Sequence, residues 1–176
     1  MKDLSPMKIS TRVILIALIL PALLMLNGCG DDMPNQYQST LSEGIDFKRE
    51  GYPNFIVQVS GVDGREDWGR WTNANLSPSA KFRFKAPLPK KFTLELQANP
   101  FAGNGVIPIS IGSSFQSLAL NRPDATYTLV FDNPNGSDLI EITPPHPITP
   151  KELNPASTDT RRIGVGLISL KIKEMK

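Results

Sequence analysis

Alternation of apolar and polar residues at every second position is the feature that most constrains the fold of this chain. The clearest run extends from Phe92 to Ala98, where four apolar residues alternate with Thr, Glu and Gln. Such a period-2 pattern is typical of a β-strand with one buried face and one solvated face. Shorter runs with the same pattern lie at 82–84, 107–111, 127–131 and 140–142. Pro108 predicts an edge strand or a bulge in its run, because proline cannot donate to the hydrogen-bond ladder.

The final run, from Ile163 to Ile172, departs from simple alternation. Its apolar residues fall at odd positions up to Leu167 and at even positions from Ile168 onward. A slip of one residue moves the apolar set to the opposite face of a strand. The run therefore predicts either a β-bulge or a strand that is buried on both faces.

Turn residues separate these runs, and the chain contains 16 Pro and 13 Gly in 176 residues. Many short strands divided by turns, with almost no helical periodicity, predict an all-β fold, an antiparallel β-sandwich of jelly-roll-like type. A closed barrel is the alternative. At most one or two short helical turns are expected, the first near 150–154. Thr149 can cap that turn, Pro150 stands at its first position and Glu152 at its third.

The N-terminal segment predicts a secretory signal peptide. Lys2, Lys8 and Arg12 precede an apolar run from Val13 to Leu26. A helix that crosses a bilayer needs about 20 apolar residues, so this run is too short to span. A basic segment followed by a short apolar segment and small residues is typical of a signal peptide.

The end of that run, Leu26-Asn27-Gly28-Cys29, resembles the lipobox of bacterial lipoproteins. The resemblance implies a diacylglyceryl group on the Cys29 thiol, cleavage just before Cys29, and acylation of the new amine by a fatty acid such as palmitate. The membrane is then the first partner, on the periplasmic side, and Gly30 favours the outer over the inner membrane. The expected organisation is a signal peptide at 1–28, a lipidated tether at 29–43 and a β-sandwich domain at 44–176.

Charge and residue counts exclude several function classes. Loss of residues 1–28 leaves 16 basic and 16 acidic residues, so no basic excess for nucleic acid remains. One Cys and one His exclude a disulfide framework and the common zinc motifs, and we expect neither metal nor cofactor. A catalytic triad would need His146, and no Ser or Cys stands at a recognisable nucleophile motif. We therefore predict no catalytic residue.

The densest group of candidate binding residues lies at 66–72, with the sequence Glu-Asp-Trp-Gly-Arg-Trp-Thr. In a strand, Trp68 and Arg70 would share one face and Trp71 would take the other. An exposed indole beside a guanidinium suits a sugar, because the ring stacks on the indole and the guanidinium donates hydrogen bonds. The alternative is a core Trp pair, with Arg70 stacked on it or paired with a neighbouring carboxylate.

A second group lies in the proline-rich loop at 143–162. Asp159 and Arg161 are predicted to form a local bidentate ion pair that closes the loop onto the final strand. Contact with a ligand is the other reading of this pair. His146 lies in the same loop, and we expect it to be a loop residue without a catalytic duty.

Motifs along the chain resemble one known domain. They are Ile45-Asp46-Phe47, Gly51-Tyr52-Pro53 with Phe55, Ser60-Gly61, Trp68-Gly69-Arg70-Trp71, Pro87-Leu88-Pro89 with Phe92, Phe131-Asp132-Asn133, Pro147 to Leu153, and Asp159 with Arg161 and Gly164. Together, over about 44–173, they resemble the C-terminal β-sandwich of the bacterial phosphoglycerol transferase I family, related copies of which are attached to some membrane glycosyltransferases. In that family a separate catalytic domain modifies periplasmic glucans, and nothing in this sequence matches that domain. One departure is Asn73, which stands where the resemblance implies Asp.

The resemblance implies an accessory role rather than transferase activity. The first hypothesis is a lipid-anchored, non-enzymatic protein of the cell envelope that binds a periplasmic glycan. The second is a protein–protein adaptor of an envelope glycan-synthesis complex, whose partner would be an enzyme of that complex. The third is a small periplasmic hydrolase, which requires a pocket with converging carboxylates or with His146.

Overall fold

Ten β-strands and one helical turn make up the part of the chain that this computed structural model describes, residues 35–176. The strands are β1 (Ile45–Asp46), β2 (Ile56–Ser60), β3 (Arg70–Asn73), β4 (Ala80–Phe84), β5 (Lys91–Pro100), β6 (Val106–Ile111), β7 (Ser114–Ala119), β8 (Thr126–Asp132), β9 (Leu139–Ile142) and β10 (Ile163–Glu174). The helix α1 spans Pro150–Leu153. The signal peptide, Cys29 and the first part of the predicted tether lie outside the described residues.

The strands form two five-stranded antiparallel sheets. In the first, the order is β1-β10-β5-β8, and β3 pairs with β10 on the same side as β1. In the second, the order is β2-β4-β9-β6-β7. The outer strands β7 and β8 are joined by side chains: the Gln116 amide donates to the Val130 carbonyl and the Ser114 hydroxyl to the Asp132 carbonyl. The prediction of an all-β sandwich is confirmed.

The alternating runs supply the core between the sheets. Along β5 the four predicted apolar side chains are all buried, and the polar side chains between them are half-buried. The facing sheet contributes inward side chains at every second position of β4, β6 and β9. Burial of such aromatic and aliphatic side chains contributes about 1.5–3 kcal/mol each. The period of the sequence thus determines which face of each strand points inward.

Strand β10 confirms both predictions made from its one-residue slip. Its register with β5 shifts between Leu167 and Ser169, which is a bulge-like irregularity. Six consecutive residues from Ile163 to Ile168 are buried, so this half of the strand is covered on both faces. Gly164 and Gly166 lie on the outward face of this half of the strand. Because neither has a side chain, side chains from other parts of the domain pack directly against the strand backbone there.

Pro108 lies in an inner strand, so the prediction of an edge strand is wrong. It belongs to β6, which pairs with β7 on one side and with β9 on the other. Its carbonyl accepts from the Thr143 N–H at 3.0 Å, just beyond the end of β9 at Ile142. The missing N–H of proline therefore falls at the last rung of the ladder with β9, where Pro108 accepts from Thr143 and donates no bond in return.

The described part of the predicted tether, residues 35–43, contacts the sandwich. The Tyr37 N–H donates to the Tyr52 carbonyl at 3.0 Å. Leu41 packs against the core, and its carbonyl accepts from the Ile172 N–H at 2.9 Å. The folded domain therefore begins before Tyr37, earlier than the predicted boundary.

The predicted helical turn is present as α1. The Thr149 hydroxyl accepts from the Glu152 N–H, and the Glu152 carboxylate accepts from the Thr149 N–H, which completes a capping box. These reciprocal bonds satisfy backbone donors that a short helix would otherwise leave free. Among residues 35–176, no helix is long and apolar enough to span a membrane.

Candidate functional site

A tight turn at Glu66–Gly69 sets the positions of the two Trp residues. Glu66 and Gly69 exchange backbone hydrogen bonds at 2.8 and 3.2 Å, and β3 begins at the next residue. Gly69 is required there, because a Cβ would lie 2.2 Å from the Leu167 carbonyl oxygen. The turn interrupts the strand, so alternation across it does not hold.

Trp68 and Trp71 lie together on the outward side of β10, which corrects the prediction that they face opposite ways. Their rings pack edge to face with centroids 4.7 Å apart, and Trp71 packs against Phe101 at 5.4 Å. Both indoles lie over Gly166 and both are half-buried. The three rings form an aromatic row beside β3 and β10.

Arg70 lies away from these rings and is only 6% exposed. Its Nη2 donates to the Arg49 carbonyl at 3.0 Å, and its guanidinium lies 4.8 Å from the centre of the Tyr52 ring. Burial raises the pKa of Tyr52 to about 12, although the charge of Arg70 opposes the shift. Arg70 therefore holds the 49–52 loop in place. The prediction that it contacts a ligand on the surface does not match this position, because a ligand could not reach it.

Arg161 takes the place beside the aromatic row that was expected of Arg70. It makes the predicted bidentate pair with Asp159, through Nε to Oδ1 at 3.0 Å and Nη2 to Oδ2 at 2.7 Å. Its Nη1 also donates to Asp63 at 3.1 Å and to Glu66 at 3.0 Å. The Glu66 carboxylate accepts from the Trp68 indole N–H at 2.8 Å. One guanidinium thus connects the loop before β10 to the turn before β3.

We call Trp68, Trp71, Phe101, Arg161 and its three carboxylates the aromatic–arginine cluster. Hydrogen bonds from Arg161 hold the pKa of Asp159 below its usual value, and the same bonds raise the pKa of Arg161. The four charged side chains keep between 18% and 37% of their surface exposed. The cluster is therefore fixed internally and still open to solvent.

Asn73, the residue that departs from the resemblance, is turned inward. It is buried, its amide donates to Asp63 at 3.3 Å, and its side-chain oxygen accepts from the Asn75 N–H at 2.9 Å. A neutral side chain here supports Asp63 without adding a fourth carboxylate to the cluster. Asn73 is placed to stabilise the turn that follows β3, not to contact a ligand.

A cavity of about 360 Å³ lies next to the cluster, and we call it the proline-loop pocket. Its lining consists of Ala102, Pro145, His146, Pro147, Ile148, Glu152 and Arg162. Two of these residues directly follow members of the cluster in sequence, since Ala102 follows Phe101 and Arg162 follows Arg161. No group of three His, Cys, Asp or Glu side chains suited to a metal ion occurs within residues 35–176.

Sequence reasoning missed the roles of four residues in this region. Asp63 and Glu66 are separated from Arg161 by 98 and 95 positions, and no local pattern signals such a pairing. Phe101 follows the end of a strand and carried no motif. The fully buried Asn104 carried no motif either, although it is a main hydrogen-bonding centre of the pocket wall.

Two packed antiparallel sheets with an exposed aromatic–arginine cluster beside β3 and β10 define an all-β sandwich domain. The chain belongs to the DUF7024 family, described as a domain of unknown function, whose model matches residues 31–174.

Curated relatives carry a matching region within much longer chains. The chain is 38% identical over 130 residues to phosphoglycerol transferase I of Escherichia coli O139:H28 and of Shigella boydii serotype 18, and 39% identical to that of Escherichia fergusonii. Each match covers 73% of this chain and 17% of the relative. The chain therefore corresponds to about a sixth of the length of these relatives. No solved structure matches it.

Proposed function

We propose that this protein is a non-enzymatic accessory protein of the cell envelope, held to the membrane by a lipid on Cys29, that binds a glycan at the aromatic–arginine cluster. The observation that carries the proposal is the pair of half-exposed indoles beside carboxylates fixed by Arg161. The sugar would be a component of a periplasmic glucan, in line with the resemblance.

The cluster contains both kinds of group that hold a sugar. Indole rings offer broad apolar surfaces for the C–H face of a pyranose. Carboxylate oxygens accept hydrogen bonds from hydroxyls, and charge-assisted bonds of this kind are stronger than neutral ones. Arg161 keeps the carboxylates of Asp63, Glu66 and Asp159 in place before a ligand arrives, which reduces the entropy lost on binding.

The same charges argue against hydrolysis at the cluster. A glycosidase needs one carboxyl group with a raised pKa to act as general acid. The pKa of Asp159 is shifted the other way, by its hydrogen bonds with Arg161. This arrangement supports a binding role for Asp159 rather than a catalytic one.

The relatives support an envelope role of limited scope. Their name describes transfer of phosphoglycerol, and the region matched by this chain is 17% of each relative. An accessory module working in the same process is consistent with a match of that size. The chemistry itself would then belong to another part of the relatives.

Binding at the cluster is testable with Trp71→Ala. The mature protein contains no Trp other than Trp68 and Trp71, so its fluorescence reports directly on the cluster. Titration with neutral gluco-oligosaccharides should change the emission of the wild type. Trp71→Ala should weaken binding at least tenfold, because buried Trp contacts are frequent hot spots of binding.

Phe115→Ala is the matched control for this titration. Phe115 is an aromatic residue, 64% exposed, on strand β7 of the other sheet. Its replacement should leave the affinity unchanged. Wild-type protein whose fluorescence and melting temperature stay constant at millimolar oligosaccharide would refute the proposed function.

The lipid anchor is testable by replacing Cys29 with Ser. Wild-type protein should fractionate with membranes and carry the mass of its acyl groups. Cys29→Ser should lack the mass of the acyl groups, because serine has no thiol to receive the diacylglyceryl group. Identical masses for the two polypeptides, apart from the substitution, would exclude lipidation.

An adaptor is the second candidate function, favoured by two exposed apolar side chains on the second sheet. Val106 on β6 and Phe115 on β7 are 55% and 64% exposed. Both lie on the outer face of the β6–β7 pair, Val106 opposite Ala119 and Phe115 opposite Ser110. Exposed apolar patches are common at protein interfaces. An adaptor would lose its partner enzyme in Phe115→Ala while keeping its affinity for glycan.

A further inference from the structure

The proline-loop pocket adjoins the cluster and has its own set of polar groups. We propose that it binds one uncharged sugar residue of the glycan, as a subsite that continues from the aromatic row. The inference rests on the proposed glycan binding and adds the place and chemical class of a second contact. The two adjoin along β10, since Pro144 of the proline loop lies over Gly164 and both indoles lie over Gly166, two residues further along the same strand.

The pocket is formed before any ligand arrives, because buried hydrogen bonds fix its walls. The side-chain amide of Asn104, which is 0% exposed, donates to the carbonyls of Phe101, Ala102 and His146, at 2.6, 3.2 and 2.9 Å. Its oxygen accepts from the His146 N–H at 2.9 Å. Asn104 thereby ties the turn after β5 to the proline loop.

The opposite side of the pocket is held by β10. Ile148 and Ile163 exchange two backbone hydrogen bonds, both at 3.1 Å. Glu152 is fixed by the capping box of α1. The backbone of the loop and Glu152 are thus held in place around the cavity, while the side chains of His146 and Arg162 are exposed to a ligand.

Arg162 supplies most of the free donors. Within residues 35–176 its guanidinium has no carboxylate within 4.0 Å, and Nη2 donates to the Pro147 carbonyl at 2.9 Å. A guanidinium has five N–H donors, so four remain. Its neighbour Arg161 is occupied by three carboxylates. The imidazole of His146 is exposed and adds a further donor or acceptor.

The charge balance of the pocket favours a neutral ligand. Glu152 has a lowered pKa, through hydrogen bonds from Thr149, and is ionised at neutral pH. Its charge offsets that of Arg162, so a phosphate or carboxylate group gains little net attraction. Pro145, Pro147 and Ile148 give an apolar wall. An apolar wall with a few fixed polar groups, in about 360 Å³, suits a ring with C–H faces and hydroxyls.

The test measures affinity by calorimetry and the position of binding by Trp fluorescence, with neutral gluco-oligosaccharides of two to six units. Arg162→Gln and His146→Ala should each weaken binding about tenfold, as expected for loss of hydrogen bonds to a charged or polar group. The change in Trp emission at saturation should persist in both variants. Lys90→Gln, which removes an exposed charge elsewhere, should bind like the wild type.

Each other outcome is decisive. If both pocket variants kept wild-type affinity while Trp71→Ala lost it, the proposed sugar site in the proline-loop pocket would be refuted and the proposed function would stand. No binding of any oligosaccharide by the wild type would overturn both. Binding only of phosphoglycerol-bearing oligosaccharide, lost in Arg162→Gln, would show an anion site instead of a neutral one. Equal melting temperatures of the variants would confirm that each result concerns binding.

Discussion

Gly166 lies beneath both indoles of the aromatic–arginine cluster. A Cβ at this position would come within 2.8 Å of Trp68 Cη2 and within 3.1 Å of Trp71 Cζ3. The strand backbone behind it is inflexible because β3 and β5 pair with β10 on both sides. The indoles therefore keep their position only while this residue has no side chain.

We expect Gly166→Ala to destabilise the protein by about 1–3 kcal/mol, because an added methyl group must displace well-packed rings. The free energy of unfolding in urea measures the loss, and Trp emission should shift as the rings move. Gly64→Ala is the matched control, since a Cβ there meets nothing within 4 Å. A Gly166→Ala protein as stable as the Gly64→Ala protein would contradict the described packing.

At the residue scale, the local pattern misplaced Arg70 and the relative orientation of Trp68 and Trp71. The proximity of Trp68 and Trp71 to β10 depends on a tight turn, and the turn breaks the alternation from which their faces were inferred. Arg70 was expected outside and lies inside, because the 49–52 loop supplies carbonyl partners for a buried guanidinium. Side-chain burial depends on such distant loops, which a local pattern does not contain.

Arg161 links two elements that are far apart in the chain, the loop before β10 and the turn before β3. Its pair with Asp159 lowers the pKa of that carboxyl from the ordinary value of 3.8. A lowered folded-state pKa contributes stability above the unfolded-state pKa. That contribution is lost as the pH falls through the folded-state pKa.

Asp159→Asn should therefore be less stable than the wild type at pH 7, and the difference should shrink as the pH falls below about 4. Urea denaturation at several pH values measures both effects. Asp67→Asn is the control, because the Asp67 side chain is fully exposed and lies 3.5 Å from Arg65. If the difference in unfolding free energy between the wild type and Asp159→Asn stayed constant from pH 7 to pH 3, that result would contradict the ion pair between Asp159 and Arg161.

At the scale of elements, the sequence predicted where the strands lie along the chain better than it predicted which strands pair with each other. The period of β5, β4 and β9 is a local property, and burial follows it. The capping box of α1 is also local, spanning Thr149 to Glu152. By contrast, Pro108 was assigned to an edge, and sequence offers no way to know that a neighbouring strand ends at Ile142.

The whole domain depends on a segment that sequence assigned to the tether. Residues 35–43 bring Tyr37 and Leu41 against the sandwich, and Tyr37 Oη also accepts from the Asp46 N–H at 3.1 Å. The segment thus supports the end of β1 and the C-terminal part of β10. Its loss would expose apolar surface and leave backbone groups unpaired.

A protein beginning at residue 44 should be less stable than one beginning at residue 35 by roughly 2–4 kcal/mol, from lost burial and hydrogen bonds. Thermal unfolding of the two polypeptides tests this directly. Leu41→Ala in the longer polypeptide should reproduce part of the loss. Equal melting temperatures for the two lengths would mean that the segment does not support the fold.

The early start of the folded body limits how far it can travel from an anchored Cys29. The side-chain amide of Gln36 already donates to the Ile56 carbonyl at 2.9 Å. Seven residues, at the greatest extension of the chain, bridge about 25 Å. A lipid on Cys29 would therefore confine the body to a thin layer over the bilayer surface.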